Sequence, residues 1–596
     1  MSNNNPFEHN YFIGYVNHVS PQYIKVHFPS STLLNRTIFS GEEFYGGLIG
    51  TYVTVEGEQF GFIGKITEID LPEKERLSLS EKAFQSSDFH PTAKVQILLS
   101  FDYFNSEVAL RTLNSFPNIG AKVYICPSKF IQKYVMEFGK KIDDNELLIS
   151  IGQLTSNRNN CVKLSQQSLF GRHCAIIGTT GGGKSWTLSK LLEGIVKNNT
   201  KAILIDPTGE YKCCCDNGKF ISLSLGKEAY FPYQDLTIED LFYLVKPAER
   251  VQAPKLLEAI RSLKCVKNGI GDEKLAQQSI NLSSGTPQII EGEYFKEFIK
   301  DGCLKKSKMF KILFERYYYK NSKDLDSDNL DFELKDLPKQ LVFECIYDSD
   351  KIESSKFGSN NDNDVSMCVS LITRINNILK SENLQKIFGY GIDISQMSNL
   401  KDQIDKFFSD NLREKFLLRI GFEDIGYEAR TREIAANAIG KYLLKKAREG
   451  DFLENPVVFF VDEAHQFLNK NIVDEYFSSL QLSSFDQIAK ECRKYGLFLC
   501  LATQMPRDIP LGTLSQMGTF LVHRLINYND KEAIKQACSS ADSDMLAFLP
   551  VLGAGEMVLS GVDFPMPISI RVEPPDHPPN SHTPKFKNLS ENNNSV

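Results

Sequence analysis

The stretch "CAIIGTTGGGKSWTLSKLLEG", Cys174 to Gly194, sets four glycines, a lysine and a serine between an apolar run and a helical pattern. Gly178, four residues, then Gly183, Lys184 and Ser185 spell G-x-x-x-x-G-K-[ST]. In this pattern glycines leave backbone N–H groups free to surround phosphates, the lysine reaches the β and γ oxygens and the hydroxyl ligates Mg²⁺. The preceding "AIIG" reads as a buried strand, and "KSWTLSKLLEGIV" as a helix whose N-terminal amides and dipole face an anion. Gly178, Thr179, Thr180, Gly181, Gly182, Gly183, Lys184, Ser185 and Trp186 are therefore the expected nucleotide-binding run, with ATP and Mg²⁺ as cofactors. Trp186, the single tryptophan, either packs the helix or meets a base or a neighbouring chain.

A phosphate loop that supports hydrolysis needs a carboxylate on the metal side. "PVVFFVDEAHQF" supplies Asp462 and Glu463 at the end of an apolar strand, with Asp462 expected at the Mg²⁺ shell and Glu463 at the attacking water. His465 is expected to cap or pack the following turn. "LFLCLATQ" ends the next strand at Gln504, an amide able to sense a γ-phosphate or simply a surface polar group. Arg172 and Arg493 are either solvated or supplied to a neighbouring subunit's site as transition-state cations.

Working outward, residues 1–155 read as short strands punctuated by glycine and proline, a small β-barrel. From residue 156 buried apolar strands alternate with helices, which implies a parallel sheet over 156–235 and 410–572. Residues 236–409 carry helical periodicity and read as an insertion. There Val365, Cys368, Leu371, Ile372, Ile375, Ile378 and Leu379 fall on one helical face, and "SSKFGSNNDNDVS" reads as a linker. The Pro- and Asn-rich 573–596 reads as a disordered tail.

The chain has 596 residues, a formal net charge of −7 and 13 cysteines without a CxxC pair. That balance excludes a generally basic nucleic-acid coat, so a polyanion would be gripped locally. The cysteines read as reduced thiols, and no apolar run reaches the roughly 20 residues of a membrane span. A cytoplasmic protein with no membrane anchor is expected. Basic stretches at Lys441–Gly450 and Cys303–Lys311 are candidate DNA contacts or solvated helix faces.

"GTTGGGKSW", "LIDPTGEY", "VVFFVDEAHQFL", "ECRKYGLFLCLATQMPRDIP", "LSQMGTFLVHRL" and "LPVLGAGEMVLSGVDFPMPISIRV" together resemble the HerA branch of the HerA/FtsK ATPases, and the first strands resemble its HAS barrel. The resemblance covers about 1–235 and 365–572. It implies a RecA-like P-loop ATPase core and a homohexameric ring around double-stranded DNA that translocates or unwinds it. It also implies roles for Arg172 and Arg493 as trans-acting fingers, and for Lys184, Ser185, Asp462, Glu463 and Gln504 as above. Asp206 and Glu210 in "DPTGEY" match a motif beside the nucleotide, or else form a strand-end turn. Gly421 and Phe422 stand where relatives usually end a strand with aspartate, and 265–365 follows no recognised pattern. The resemblance implies a nuclease or sirtuin-like effector as partner, and a cysteine-tolerant, Asn- and Lys-rich composition without a hyperthermophile's ion-pair density points to a bacterial form acting in anti-phage defence. An ATP-gated ring scaffold that regulates an effector, and the motor of a DNA end-resection complex, are the competing readings; a membrane-associated conjugation or secretion ATPase is weakened by the missing span.

Overall fold

The computed structural model describes residues 5–581 apart from 22, 40–41, 46–47, 73–88, 104–108, 111–114, 128, 132–133, 135–146, 156, 215–216, 272–278, 281–288, 410–413, 427–429, 469–481, 539–542 and 565. Six N-terminal strands, β1 (Phe12–Val19), β2 (Ile24–His27), β3 (Tyr52–Val55), β4 (Phe60–Asp70), β5 (Thr92–Asp102) and β6 (Lys122–Ile125), pair antiparallel in the order β2-β1-β6-β3-β4-β5. Pairing of Ile24 with Val95 and of His27 with Thr92 closes the barrel. Closure removes the sheet edges, and alternate branched residues such as Val26, Val53, Val95 and Val123 fill the interior.

The barrel ends earlier than residue 155. Leu148–Leu154 (β7) joins a second, eleven-stranded sheet with β8 (Asn157–Ser165), β9 (Cys174–Ile177), β10 (Lys201–Asp206), β11 (Phe220–Ser224), β12 (Leu417–Gly421), β13 (Val457–Val461), β14 (Leu497–Thr503), β15 (Thr519–His523), β16 (Glu556–Gly561) and β17 (Ile568–Val572). Their order is β8-β7-β17-β16-β15-β9-β14-β13-β10-β12-β11. From β11 to β15 the strands run parallel, and β16, β17, β7 and β8 form an antiparallel edge. β9, β13 and β14 are buried along their whole length, as expected of strands covered on both faces. Tyr52, Ile63, Leu99 and Phe101 of the barrel share one apolar cluster with Ile568 and Ile570 of this edge. The Tyr52 hydroxyl donates to the Pro567 carbonyl at 3.2 Å, so barrel and sheet are docked without a gap.

The insertion is helical, as its periodicity predicted, but it is no separate body. Its helices at Ile238–Val245, Gln252–Lys267, Leu337–Glu344, Asp362–Lys380 and Leu400–Phe408 bury side chains in the same cluster as Ile203, Ile205 and Phe459 of the sheet. Cys368, Leu371 and Ile375 form the buried stripe of Asp362–Lys380, with Val365, Ile372, Ile378 and Leu379 packed beside them. The linker-like stretch before that helix is fastened instead: Phe357 N–H donates to the Met309 carbonyl and Gly358 N–H to that of Tyr347, both at 2.9 Å. Backbone hydrogen bonds such as these replace the freedom its composition suggested.

The tail is also shorter than composition implied. Residues 573–581 run back along α1 (Lys184–Lys197), with Pro575 and Pro579 buried. Lys197 pairs with Asp576 at 2.8 Å, His577 N–H donates to Glu193 Oε1 at 2.8 Å, and Asn580 N–H donates to the Glu210 carbonyl at 2.8 Å. Proline lowers the entropy lost on fixing such a segment, which is why a sequence poor in apolar residues still lies down. Residues 582–596 lie outside the described residues.

One polar group is buried deep in the sheet. Arg419 of β12 is fully enclosed, donating Nε to Asp206 Oδ2 at 2.7 Å, Nη2 to Glu423 Oε2 at 2.7 Å and Nη1 to Ser222 Oγ at 3.0 Å. A Cβ at Gly421 would lie 2.6 Å from the guanidinium nitrogens and against Glu423. The absent strand-end aspartate thus makes room for this ion pair. Burial raises the Glu423 carboxyl, but hydrogen bonds from its own backbone, Ser224 and Lys212 and the charge of Arg419 hold it at about 2, below the ordinary 4.5. A depressed carboxylate contributes stability above its unfolded value that is lost as pH falls through the folded one. Acid denaturation should therefore weaken the protein between about pH 4.5 and 2, and Glu423→Gln should flatten that limb. Arg419→Met, which strands two buried carboxylates, should cost about 3–5 kcal/mol in chemical denaturation at neutral pH.

Candidate active site

The three chemistry-bearing segments leave the C-terminal ends of adjacent parallel strands. The phosphate loop follows β9, Gln504 follows β14 and Asp462-Glu463 follow β13, with β14 between the other two. Parallel pairing in register, Ile177 with Thr503 and Phe460 with Cys500, brings their ends to one level. Ligand sites of open α/β sheets form there because loops from neighbouring strands converge.

Gly181 and Gly183 take φ of 76° and 111°, values only glycine adopts without strain. The backbone of Gly555 explains a second constraint. Its N–H donates to the Gly182 carbonyl at 3.1 Å, and its Cα would stand 2.9 Å from a Cβ on Gly183. Lys184 opens α1 behind Gly183, with Ser185 next to it, and Trp186 is 39% exposed. Thr179 Oγ1 donates to the Arg524 carbonyl at 3.1 Å, and Thr180 Oγ1 donates to Gln504 Oε1 at 2.6 Å. The strand-end amide thus touches the phosphate loop itself.

Lys184 is buried between two carboxylates. Its Nζ forms an ion pair with Glu463 Oε1 and lies 3.6 Å from Asp462 Oδ1. Burial would lower the ammonium, yet Asp462 and Glu463 more than offset it, so its proton is held more tightly than usual. Burial pushes Asp462 up to about 6 against the pull of Lys184. Glu463 reaches the lysine from a left-handed backbone, φ 45° and ψ 45°, a conformation that costs a non-glycine residue roughly 1–3 kcal/mol. Within the loop after β10, Asp206 accepts from the N–H groups of Thr208, Gly209 and Tyr211. Asp206 therefore shapes the turn, and Glu210 is what the turn presents: burial raises its carboxyl against the pull of Ser185 and Lys184.

Asp462 Oδ1 and Glu210 Oε2 are buried without a hydrogen-bond partner. With the Ser185 hydroxyl they form an all-oxygen donor set, which suits Mg²⁺. Among the described residues no group of three His, Cys, Asp or Glu could hold an ion.

The two arginines lie elsewhere. Arg172 precedes β9 and Arg493 precedes β14, so both sit at the N-terminal ends of their strands, opposite their own phosphate loop. Arg172 Nε is bound to Asp563 at 3.0 Å; Arg493 is exposed and has no ion-pair partner among the described residues. Sequence reading missed His523 at the end of β15. Its Nδ1 donates to the Glu556 carbonyl at 2.9 Å and its Nε2 accepts from Thr187 Oγ1 at 2.8 Å. Burial pushes it down to about 4, so the ring is neutral at physiological pH. It sits behind the loop: a Cβ on Gly178 would lie 2.6 Å from that of His523.

The family model described as "Helicase HerA, central domain" matches residues 149–375, and that described as "Helicase HerA-like C-terminal" matches 443–582. The chain belongs to the HerA helicase family. The first match runs through most of the helical insertion, which places that region within the HerA central domain. Similar curated proteins are the probable DNA double-strand break repair helicase HerA of Methanocaldococcus jannaschii, 26% identical over 71% of this chain and 76% of that one, and the HerA of Pyrococcus furiosus, 23% identical over 71% and 69%. Among solved structures, the bacterial conjugative coupling protein TrwB aligns at TM-score 0.43 with 14% identity, covering 76% of this chain and 94% of that one. VirB4 of Thermoanaerobacter pseudethanolicus aligns at 0.41 with 15% identity, covering 73% and 98%. This HerA-family chain is an ATPase and helicase by membership, and no helix among its described residues is long and apolar enough to cross a membrane.

Gly178→Ala tests the loop's support. Overpacking against His523 costs roughly 1–3 kcal/mol, so ATP affinity should fall about tenfold in a binding titration with the barrel and sheet intact by circular dichroism.

Proposed function

We propose that this HerA-family ATPase is a hexameric motor that translocates or unwinds double-stranded DNA. ATP would bind in the Gly178–Trp186 loop, and Ser185 and Asp462 would hold Mg²⁺, which when bound neutralises phosphate charge. The observation that carries the hydrolytic part of the reading is the ion pair between Lys184 and Glu463. A triphosphate in the loop offers Lys184 a more highly charged partner. Its transfer frees Glu463 to take a proton from an attacking water, while Gln504, already touching Thr180, reports the γ-phosphate to β14. Lys184→Ala should then abolish nucleotide binding, whereas Glu463→Gln should bind ATP and turn over at least 100-fold more slowly. The motor itself is tested by ATP hydrolysis with and without linear duplex across a salt series, with mass in solution recorded: stimulation that falls steeply with salt supports phosphate gripping.

The finger roles of Arg172 and Arg493 require a neighbouring subunit, since both face away from their own site. Arg493, exposed and unpaired among the described residues, is the better placed; Arg172 is engaged by Asp563. Rings mixed from Arg493→Ala and Glu463→Gln subunits should contain some competent interfaces and recover turnover above either pure ring, and Arg172→Ala should impair hydrolysis less than Arg493→Ala.

One observation favours the scaffold reading. The basic stretch 441–450 is neutralised at home, with Lys441 on Glu239 and Asp240, Lys446 on Asp405 and Asp451, and Arg448 on Glu491. In 303–311, Lys306 is buried against Glu344 and Lys311 pairs with Asp348. A hexamer whose hydrolysis ignores DNA would match an ATP-gated scaffold. In both readings a nuclease or sirtuin-like effector, in anti-phage defence or DNA end resection, docks on the ring; exposed Tyr15, Phe116 and Ile119 of the barrel support that face.

A further inference from the structure

Glu463 uses its two oxygens unequally. Oε1 holds Lys184, while Oε2 is buried without a hydrogen bond of good geometry and faces His465 Nδ1 at 3.3 Å. The same Nδ1 is hydrogen-bonded to Thr503 Oγ1 at 3.3 Å, which in turn accepts the Met505 N–H at 3.1 Å, so the two oxygens compete for it. Thr503 ends β14, and the next residue is Gln504, bound to Thr180 of the phosphate loop. His465 thus stands where the carboxylate turn meets the strand that carries the γ-phosphate-sensing amide.

We propose that His465 is the positioning residue of Glu463, holding the carboxylate through Oε2 once the nucleotide draws Lys184 away. The inference rests on the reading of Glu463 as the base. A carboxylate accepts only, so holding Oε2 would require the tautomer with hydrogen on Nδ1. The charged groups around the ring are Glu463, Lys184 and Asp508, and burial keeps the ring's proton affinity below the ordinary value. A neutral donor suits the task, because it orients Glu463 without neutralising it. Without Lys184 and without His465, the carboxylate would be free to change rotamer, and a displacement of about 1 Å at a reacting group costs on the order of 100-fold in rate. Held through Oε2, Glu463 offers Oε1 to the water. The proton passes to Oε1, the water oxygen bonds to the γ-phosphorus, and the bond to the β–γ bridging oxygen breaks with its electrons leaving on ADP.

The test compares His465→Ala, His465→Asn and Glu463→Gln in the full chain, measuring kcat, KM and equilibrium binding of a fluorescent non-hydrolysable ATP analogue. Asparagine sets an amide N–H near the position of Nδ1. His465→Ala should lower kcat about 30- to 100-fold with KM and analogue affinity within about threefold of wild type, and His465→Asn should recover most of that loss. A His465→Ala enzyme within twofold of wild-type kcat overturns the proposal. So does asparagine no better than alanine, or affinity lost in parallel with kcat, either of which marks packing alone. Wild-type turnover by Glu463→Gln would instead remove the base assignment beneath it, a failure distinct from any His465 result.

Discussion

A lysine ammonium buried against two carboxylates is costly to build unless something else will claim it. Lys184 sits 8% exposed between Asp462 and Glu463, and a buried charge that loses its partner is penalised by several kcal/mol. The two carboxylates therefore hold the lysine's proton while the loop waits. The surrounding architecture exists to deliver them: parallel strands bring loop, amide and carboxylates to one level, and Asp206 folds the neighbouring turn. His523 and Gly555 back the phosphate loop from behind. Each of these supports is polar or glycine-rich, which is why the site can be stiff without being apolar.

Much of this was legible in the chain because it is local. The glycine-lysine-serine spacing, the apolar strand ahead of Asp462 and the amphipathic stripe of residues 365–379 each state their structure within a dozen residues. The alternation of period-two and helical patterns gave the two-domain plan. What escaped reading was set by partners far away. His523 is unremarkable in "TFLVHRL" until Thr187 and Glu556 meet it, and Arg419 looks like a surface charge until Asp206 arrives from another strand.

Composition misled in three places for the same reason. Residues 148–154 read with the barrel because strands of either sheet look alike until they pair. The stretches at 354–366 and 573–581 are rich in residues that favour loops, yet each is pinned by specific backbone hydrogen bonds to distant segments. Polarity signals that a segment lacks its own core; it does not say whether another core will receive it. The basic run at 441–450 carries the converse lesson, since Lys441 and Lys446 also answer Glu239, Asp240 and Asp405 of the insertion, which no local pattern could pair with them.

The antiparallel edge of the sheet gives the barrel a mechanical meaning. β15 carries His523 behind the phosphate loop, β16 pairs with it through His523 and Met557 and with β17 on its other side, and Pro567, where Tyr52 is fastened, stands just ahead of β17. A hydrogen-bonded ladder with a close-packed face has little give. The barrel is therefore mounted as the far end of a short cantilever whose root is the nucleotide pocket, and a tilt at the root would swing the barrel bodily.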